Sequence, residues 1–134
     1  MVEKATKTKR TALIVEDEES MLSALSDKFE RAGFEVLKAK DGESGLAIAF
    51  ERRPQVIILD VIMPHMDGVT MLEDLRHDSW GAKVPVIVLS NLNDEEIISK
   101  SFKEGVYDYL VKANVKISDV VKKAEEIVDI MEKM

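Results

Sequence analysis

Four branched apolar residues in a row, Val56-Ile57-Ile58-Leu59, run without a polar break straight into Asp60. A strand with one face in water alternates apolar and polar residues. A continuous apolar run is instead the pattern of a strand covered on both faces, as in a parallel sheet flanked by helices. Thr11 to Val15 and Val84 to Leu89 repeat the pattern, and weaker versions stand at Phe34 to Ala39 and Val106 to Val111. Helical spacing fills the gaps between them. Leu22, Leu25, Phe29 and Ala32 recur at three and four residues, with Gly33 placed to stop that helix. Leu46 to Phe50, Val69 to Leu75 and Glu95 to Phe102 supply three more, the last starting at Asn93 or Asp94 and stopping at Gly105. Ile117, Val120, Val121, Ala124, Ile127, Val128 and Met131 mark the stripe of a final helix from about Lys116 to Lys133, capped by Ser118 or Asn114. Gly42 and Gly68 each follow an aspartate and read as turns. Strict alternation of five strands and five helices predicts an α/β domain with a parallel sheet and right-handed crossovers.

At 134 residues the chain has room for one domain, and 46% hydrophobic with 34% charged residues supports a single core rather than disorder. A net charge of −7 argues against direct nucleic-acid binding, which needs a basic footprint. Cysteine is absent, which removes thiolate metal sites, disulfides and cysteine nucleophiles. No apolar run reaches the ~20 residues of a membrane-spanning helix, so no membrane partner is expected. Residues 1–10, with Lys4, Lys7, Lys9 and Arg10, read as a flexible basic tail, and 11–134 as the domain. A cytoplasmic setting is expected.

Ligands of an open parallel sheet bind beyond the carboxyl ends of its strands, where strand order reverses. The first run ends at Glu16 and Asp17, the third at Asp60, the fourth at Ser90, and the fifth at Lys112 with Tyr109 three residues earlier. Any one of these alone reads as a helix cap, a turn residue or a surface charge. Their collection at the strand ends of one face is what points to chemistry. Three converging carboxylates repel unless a hard divalent cation joins them, and such oxygen sites suit Mg²⁺. A lysine supplies a compact positive charge for a phosphoryl group. The set is therefore equipped for phosphoryl chemistry with a carboxylate nucleophile.

Val15-Glu16-Asp17-Glu18, Ile58-Leu59-Asp60-Val61-Ile62-Met63-Pro64 with Met66-Asp67-Gly68, Leu89-Ser90 and Tyr109-Leu110-Val111-Lys112 resemble the receiver domain of bacterial response regulators, in order and over nearly the whole chain, about Thr11 to Met131. The resemblance implies a flavodoxin-like doubly wound (βα)5 fold, with a five-stranded parallel sheet of order 2-1-3-4-5 and helices on both faces. It implies that Asp60 is the phosphoacceptor, attacking a phosphohistidine. Asp17 becomes the principal Mg²⁺ ligand, with Glu16 beside it, Asp60 sharing the ion and the Ile62 backbone carbonyl completing the shell. Lys112 pairs with phosphoryl oxygens, Ser90 is the switch hydroxyl and Tyr109 the switch aromatic. The implied partners are a sensor histidine kinase or phosphotransfer protein and a downstream effector, acting on a monomer or a phosphorylation-linked dimer. Such a protein is not an enzyme, catalysing only its own phosphorylation and dephosphorylation.

The sequence departs from that pattern at three places. Ala113 follows Lys112 where the family usually has a cis proline, and a non-proline cis bond costs ~3 kcal/mol, so the loop is either rearranged or strained. Asn91 follows Ser90 where a small residue is usual, which narrows access to Asp60; Ile62 is apolar where some members carry a polar side chain that positions water, which predicts slow self-dephosphorylation. A pseudo-receiver, binding partners without phosphorylation, is the alternative. An aspartyl phosphatase fits poorly, because Ile62 stands where its second carboxylate belongs. Ile97, Ile98 and Phe102 read as core, and His65 and His77 as surface histidines.

Overall fold

The structure, a computed structural model, describes residues 9–63 and 66–134. The tail expected at the amino terminus falls mainly on residues 1–8; these residues, and Pro64 and His65, lie outside the described residues. Chain order is β1 Thr11–Val15, α1 Glu19–Arg31, β2 Glu35–Ala39, α2 Gly42–Arg52, β3 Val56–Leu59, α3 Gly68–Arg76, β4 Val86–Ser90, α4 Glu95–Lys103, β5 Asp108–Val111 and α5 Ile117–Glu132. The five strands pair in parallel in the order β2-β1-β3-β4-β5, as expected. None of the described helices is long and apolar enough to cross a membrane.

Side chains alternate across a strand, so each buried run feeds two cores. Ala12, Ile14, Val56, Ile58, Ile87 and Leu89 pack against α1 and α5, through Leu22, Leu25, Phe29, Val120, Ala124 and Val128. Leu13, Val15, Ile57, Leu59, Val86 and Val88 face the other way, onto Ala49, Met71, Leu72 and Leu75 of α2 and α3. The central strands β1, β3 and β4 are buried almost throughout, whereas the edge strands β2 and β5 are mixed, which is why their sequence signal is weaker.

Helix ends follow local chemistry. Gly33 takes φ +98, letting Phe34 N–H return to Phe29 O (3.0 Å) while the two rings meet edge to face with centroids 5.2 Å apart. Gly105 closes α4 in the same way at φ +76. Asp94 caps α4, accepting from Glu96 and Ile97 N–H. Neither Ser118 nor Asn114 caps α5: Lys116 holds that position, and its N–H donates to the Asp119 carboxylate at 3.2 Å. Asp41-Gly42 and Asp67-Gly68 are helix starts rather than free turns, the aspartates capping α2 and α3 through Ser44 and Thr70 N–H. Both glycines are needed by close approach. A Cβ on Gly42 would sit 2.2 Å from Met66 O, and one on Gly68 would sit 2.5 Å from Val61 Cα. These two contacts clamp the loop that follows Asp60.

Arg76, at the end of α3, ties three segments together. Its guanidinium donates to Glu104 O (2.6 Å), Gly105 O (3.2 Å), Gly81 O (2.7 Å) and Val84 O (2.7 Å), joining the end of α4 to the loop entering β4. Arg10, counted from sequence with the tail, is instead bonded to Asp129 and to Glu132 of α5 (2.8 Å to the latter). Phe102 departs from its core reading, with 47% of its surface exposed; Ser101 is the buried residue of α4. Because several backbone carbonyls would lose a charged donor at once, Arg76→Met is expected to lower the unfolding free energy by about 2–3 kcal/mol, read from urea denaturation. An unchanged midpoint would show that water replaces the guanidinium at no cost.

Candidate functional site

Each strand of the central sheet ends by handing a polar residue to the same edge. Glu16 N–H donates to Ala39 O (2.9 Å) and Asp60 N–H to Val15 O (3.0 Å), so the backbone pairing of β1 with β2 and β3 fixes where both carboxylates emerge. An oxygen from each of Glu16, Asp17 and Asp60 lies within 4.8 Å of the others. Glu16 is 2% and Asp60 6% exposed, while Asp17 is open to solvent.

Lys112 follows β5, two strands from β3, and extends its side chain across the end of β4. Its Nζ lies 2.9 Å from Glu16 Oε1 and 2.9 Å from Asp60 Oδ2, with the exposed Glu18 at 3.9 Å. Asp60 Oδ1 accepts from Ile62 N–H at 3.0 Å, and Glu16 Oε2 from Glu18 N–H at 3.1 Å. One ammonium faces three carboxylates, leaving a deficit of positive charge that a divalent ion with hard-oxygen preference would fill. The donor set thus fits Mg²⁺.

Burial pushes the Glu16 carboxyl above the usual range, against the opposing pull of Lys112 and the Glu18 N–H. For Lys112 burial alone would lower the value, but hydrogen bonds to Glu16 and Asp60 outweigh it and the ammonium is held above its ordinary value. Tyr109 is raised by burial first and by the charge of Asp60 second.

Ser90 is the last residue of β4 rather than the first beyond it, and is fully buried. Its Oγ accepts from Leu92 N–H at 3.2 Å, and Tyr109 Oη donates to Leu92 O at 2.7 Å. Both polar groups of one loop residue are therefore held by the two residues read as the switch. Leu92 takes part through main-chain atoms, which leave no mark on side-chain identity. Ile62 stands beside Asp60 through its N–H, with a side chain 52% exposed. The bond from Lys112 to Ala113 is trans, and the chain turns there through a 3-10 turn at Lys112–Asn114, so the missing proline is met by a rearranged loop. His77 ends α3 on the surface, as expected.

With this geometry in place, the sequence matches the family described as the response regulator receiver domain over residues 12–130. The chain belongs to this family, whose members are signalling domains of two-component systems. It is 36% identical over 100 residues to a DNA-binding dual master transcriptional regulator, RpaA, of Synechocystis, covering 75% of this chain and 42% of that one. It is 32% identical over 100 residues to the protein PilH of Pseudomonas aeruginosa, covering 75% and 83%. The chain spans less than half the length of the transcriptional regulators RpaA, ycf27 and PhoP that it matches. Among solved structures it resembles the chemotaxis protein CheY4 of Vibrio cholerae (29% identity, TM-score 0.81, 89% and 98% covered). It also resembles a CheY-like receiver domain protein of Methanospirillum hungatei (25%, TM-score 0.87, 94% and 98%).

The raised carboxyl of Glu16 sets a pH dependence. Folded Glu16 keeps its proton to higher pH than unfolded Glu16, so its contribution to stability is full below the ordinary glutamate range and falls as pH rises through the folded value. In a chelator, the stability difference between Glu16→Gln and wild type should therefore move toward the variant as pH rises from about 4 to about 7. Urea midpoints at the two pH values check this, and a difference that stays constant would contradict it.

Proposed function

We propose that Asp60 accepts a phosphoryl group from the phosphohistidine of a sensor kinase or phosphotransfer protein, and that the domain is a phosphorylation-activated switch. The observation that carries the reading is Lys112 bridging Glu16 and Asp60 at 2.9 Å each, which poises a nucleophilic carboxylate in a buried, oxygen-rich site. Glu16, Asp17, Asp60 and the Ile62 carbonyl are the residues that would hold Mg²⁺. Bound there, the ion neutralises charge on the phosphoryl oxygens and on the crowded carboxylates.

In the transfer, an Asp60 carboxylate oxygen forms the new bond to phosphorus as the P–N bond to the partner's imidazole breaks. The electron pair of that bond leaves with the imidazole nitrogen. Ile62 N–H fixes the orientation of the carboxylate, and Lys112 follows the negative charge as it moves out onto the phosphoryl oxygens. The Ser90 hydroxyl, which now accepts from Leu92 N–H, then gains a charged acceptor, and turning toward the phosphoryl group releases Leu92 N–H. Tyr109, bonded to Leu92 O, couples that release to the loop leading into α4. The altered face is what a downstream effector would read, in the cytoplasm, with no turnover of a separate substrate. The apolar Ile62 beside the site supports a long-lived phosphoryl group.

Intact mass after incubation with Mg²⁺ and acetyl phosphate tests the reading. Wild type is expected to gain one phosphoryl group, and Asp60→Asn and a chelated sample none. A folded wild-type chain that gains nothing would instead favour a phosphorylation-independent interaction module.

A further inference from the structure

The residues immediately before β3 and β4 lie at the opposite end of the same two strands whose other ends carry Asp60 and Ser90. There a groove of about 700 Å³ opens between α5 and the loop after α3, within the range of small-molecule sites. Its apolar lining includes Pro54, Trp80, Pro85 and Met131, with Val84 and Val128 beneath. Two cations, Arg53 and Lys83, stand in its wall, both exposed and, among the described residues, neither in an ion pair. The guanidinium of Arg53 lies over the Trp80 ring, 5.9 Å from its centroid. The acid in the lining, Glu132, is paired with Arg10 at 2.8 Å, a cation it shares with Asp129.

We propose that this groove binds a small amphipathic anion, a carboxylic acid with a compact aryl or alkyl body. The apolar body would lie against Trp80, Pro54, Pro85 and Met131, where its removal from water drives binding. The carboxylate would take its hydrogen bonds from Arg53 and Lys83. Charge complementarity selects the anion: the groove presents two positive groups outside any ion pair among the described residues, against one negative group that already has a partner in Arg10. Volume selects the size. The site is separated from the acidic cluster by the length of β3, about 13 Å at 3.3 Å per residue. It therefore stands whether or not Asp60 is a phosphoacceptor.

Trp80 is the chain's single tryptophan, so its indole N–H gives one assigned resonance inside the groove. Titration of the full chain with 4-phenylbutyrate, followed by that resonance, is expected to give a saturable shift below about 10 mM. The neutral 4-phenylbutyramide, and the double variant Arg53→Gln with Lys83→Gln, should each weaken binding by about fivefold or more. Asp60→Asn should leave it unchanged. Both substituted cations are on the surface, and far-UV circular dichroism confirms that the variant is folded. The proposal is overturned by the absence of a saturable shift, or by equal affinity for acid and amide. A Trp80 resonance that moves with protein concentration alone would also overturn it, by making a second copy of the chain the occupant.

Discussion

A single ammonium group, Lys112 Nζ, stands 2.9 Å from both Glu16 and Asp60, and the arrangement of the sheet edge depends on it. Two carboxylates this buried could not remain side by side without it, because the desolvation of each and their mutual repulsion act in the same direction. The strands bring the acids to the place where they need the lysine. Backbone bonds between β1, β2 and β3 fix the exit points of Glu16 and Asp60, and β5 starts the lysine far enough away that its extended side chain lands between them. Because removing the cation leaves buried charge uncompensated, the position carries a structural role together with any chemical one.

The rest of the molecule holds that edge still. Gly42 and Gly68 let two backbones press against the loop after Asp60, with no room for a side chain at either point. That leaves the carboxylate little freedom, and Ile62 N–H takes up one of its oxygens. The pressure of burial on Glu16 is the cost of this order. Sites built for chemistry commonly carry such local conflict, compensated by the stability of the surrounding core. Here the compensation comes from two apolar layers, fed by alternate residues of the same strands.

How much of this could be read in advance follows from which signals lie along the chain. The central strands were legible because burial on both faces demands an unbroken apolar run, and the acids because each terminates one. The order of the strands came from resemblance alone, since periodicity does not encode neighbours. Gly42 and Gly68 were misread as turns because an Asp-Gly pair looks the same whether it opens a helix or a loop; the neighbouring backbone that demands glycine is distant in sequence. The roles of Arg76 and of the Leu92 main chain escaped notice for a related reason. One acts on carbonyls from two other segments and the other through its own main chain, so neither role leaves a pattern of residue types. Phe102 was placed in the core by helical spacing, yet in a helix as short as α4 the inward stripe is satisfied by Ile97 and Ser101.

Helix α4 is anchored differently from its neighbours. Helices α1, α3 and α5 each bury several large side chains in the two cores, while α4 buries Ser101, with Ile97 packed at the margin. An element so lightly anchored opens at lower free energy than its neighbours. Its two ends are nevertheless held unequally. Its carboxyl end is closed by Gly105 and grasped by Arg76, whereas its amino end hangs from a loop whose Leu92 is held by Ser90 and Tyr109. Of those two side chains, Tyr109 already feels the charge of Asp60. Compared with α1, α3 and α5, which would have to give up several large buried side chains to move, the displacement of least cost is a movement of the amino end of α4 about its fixed carboxyl end.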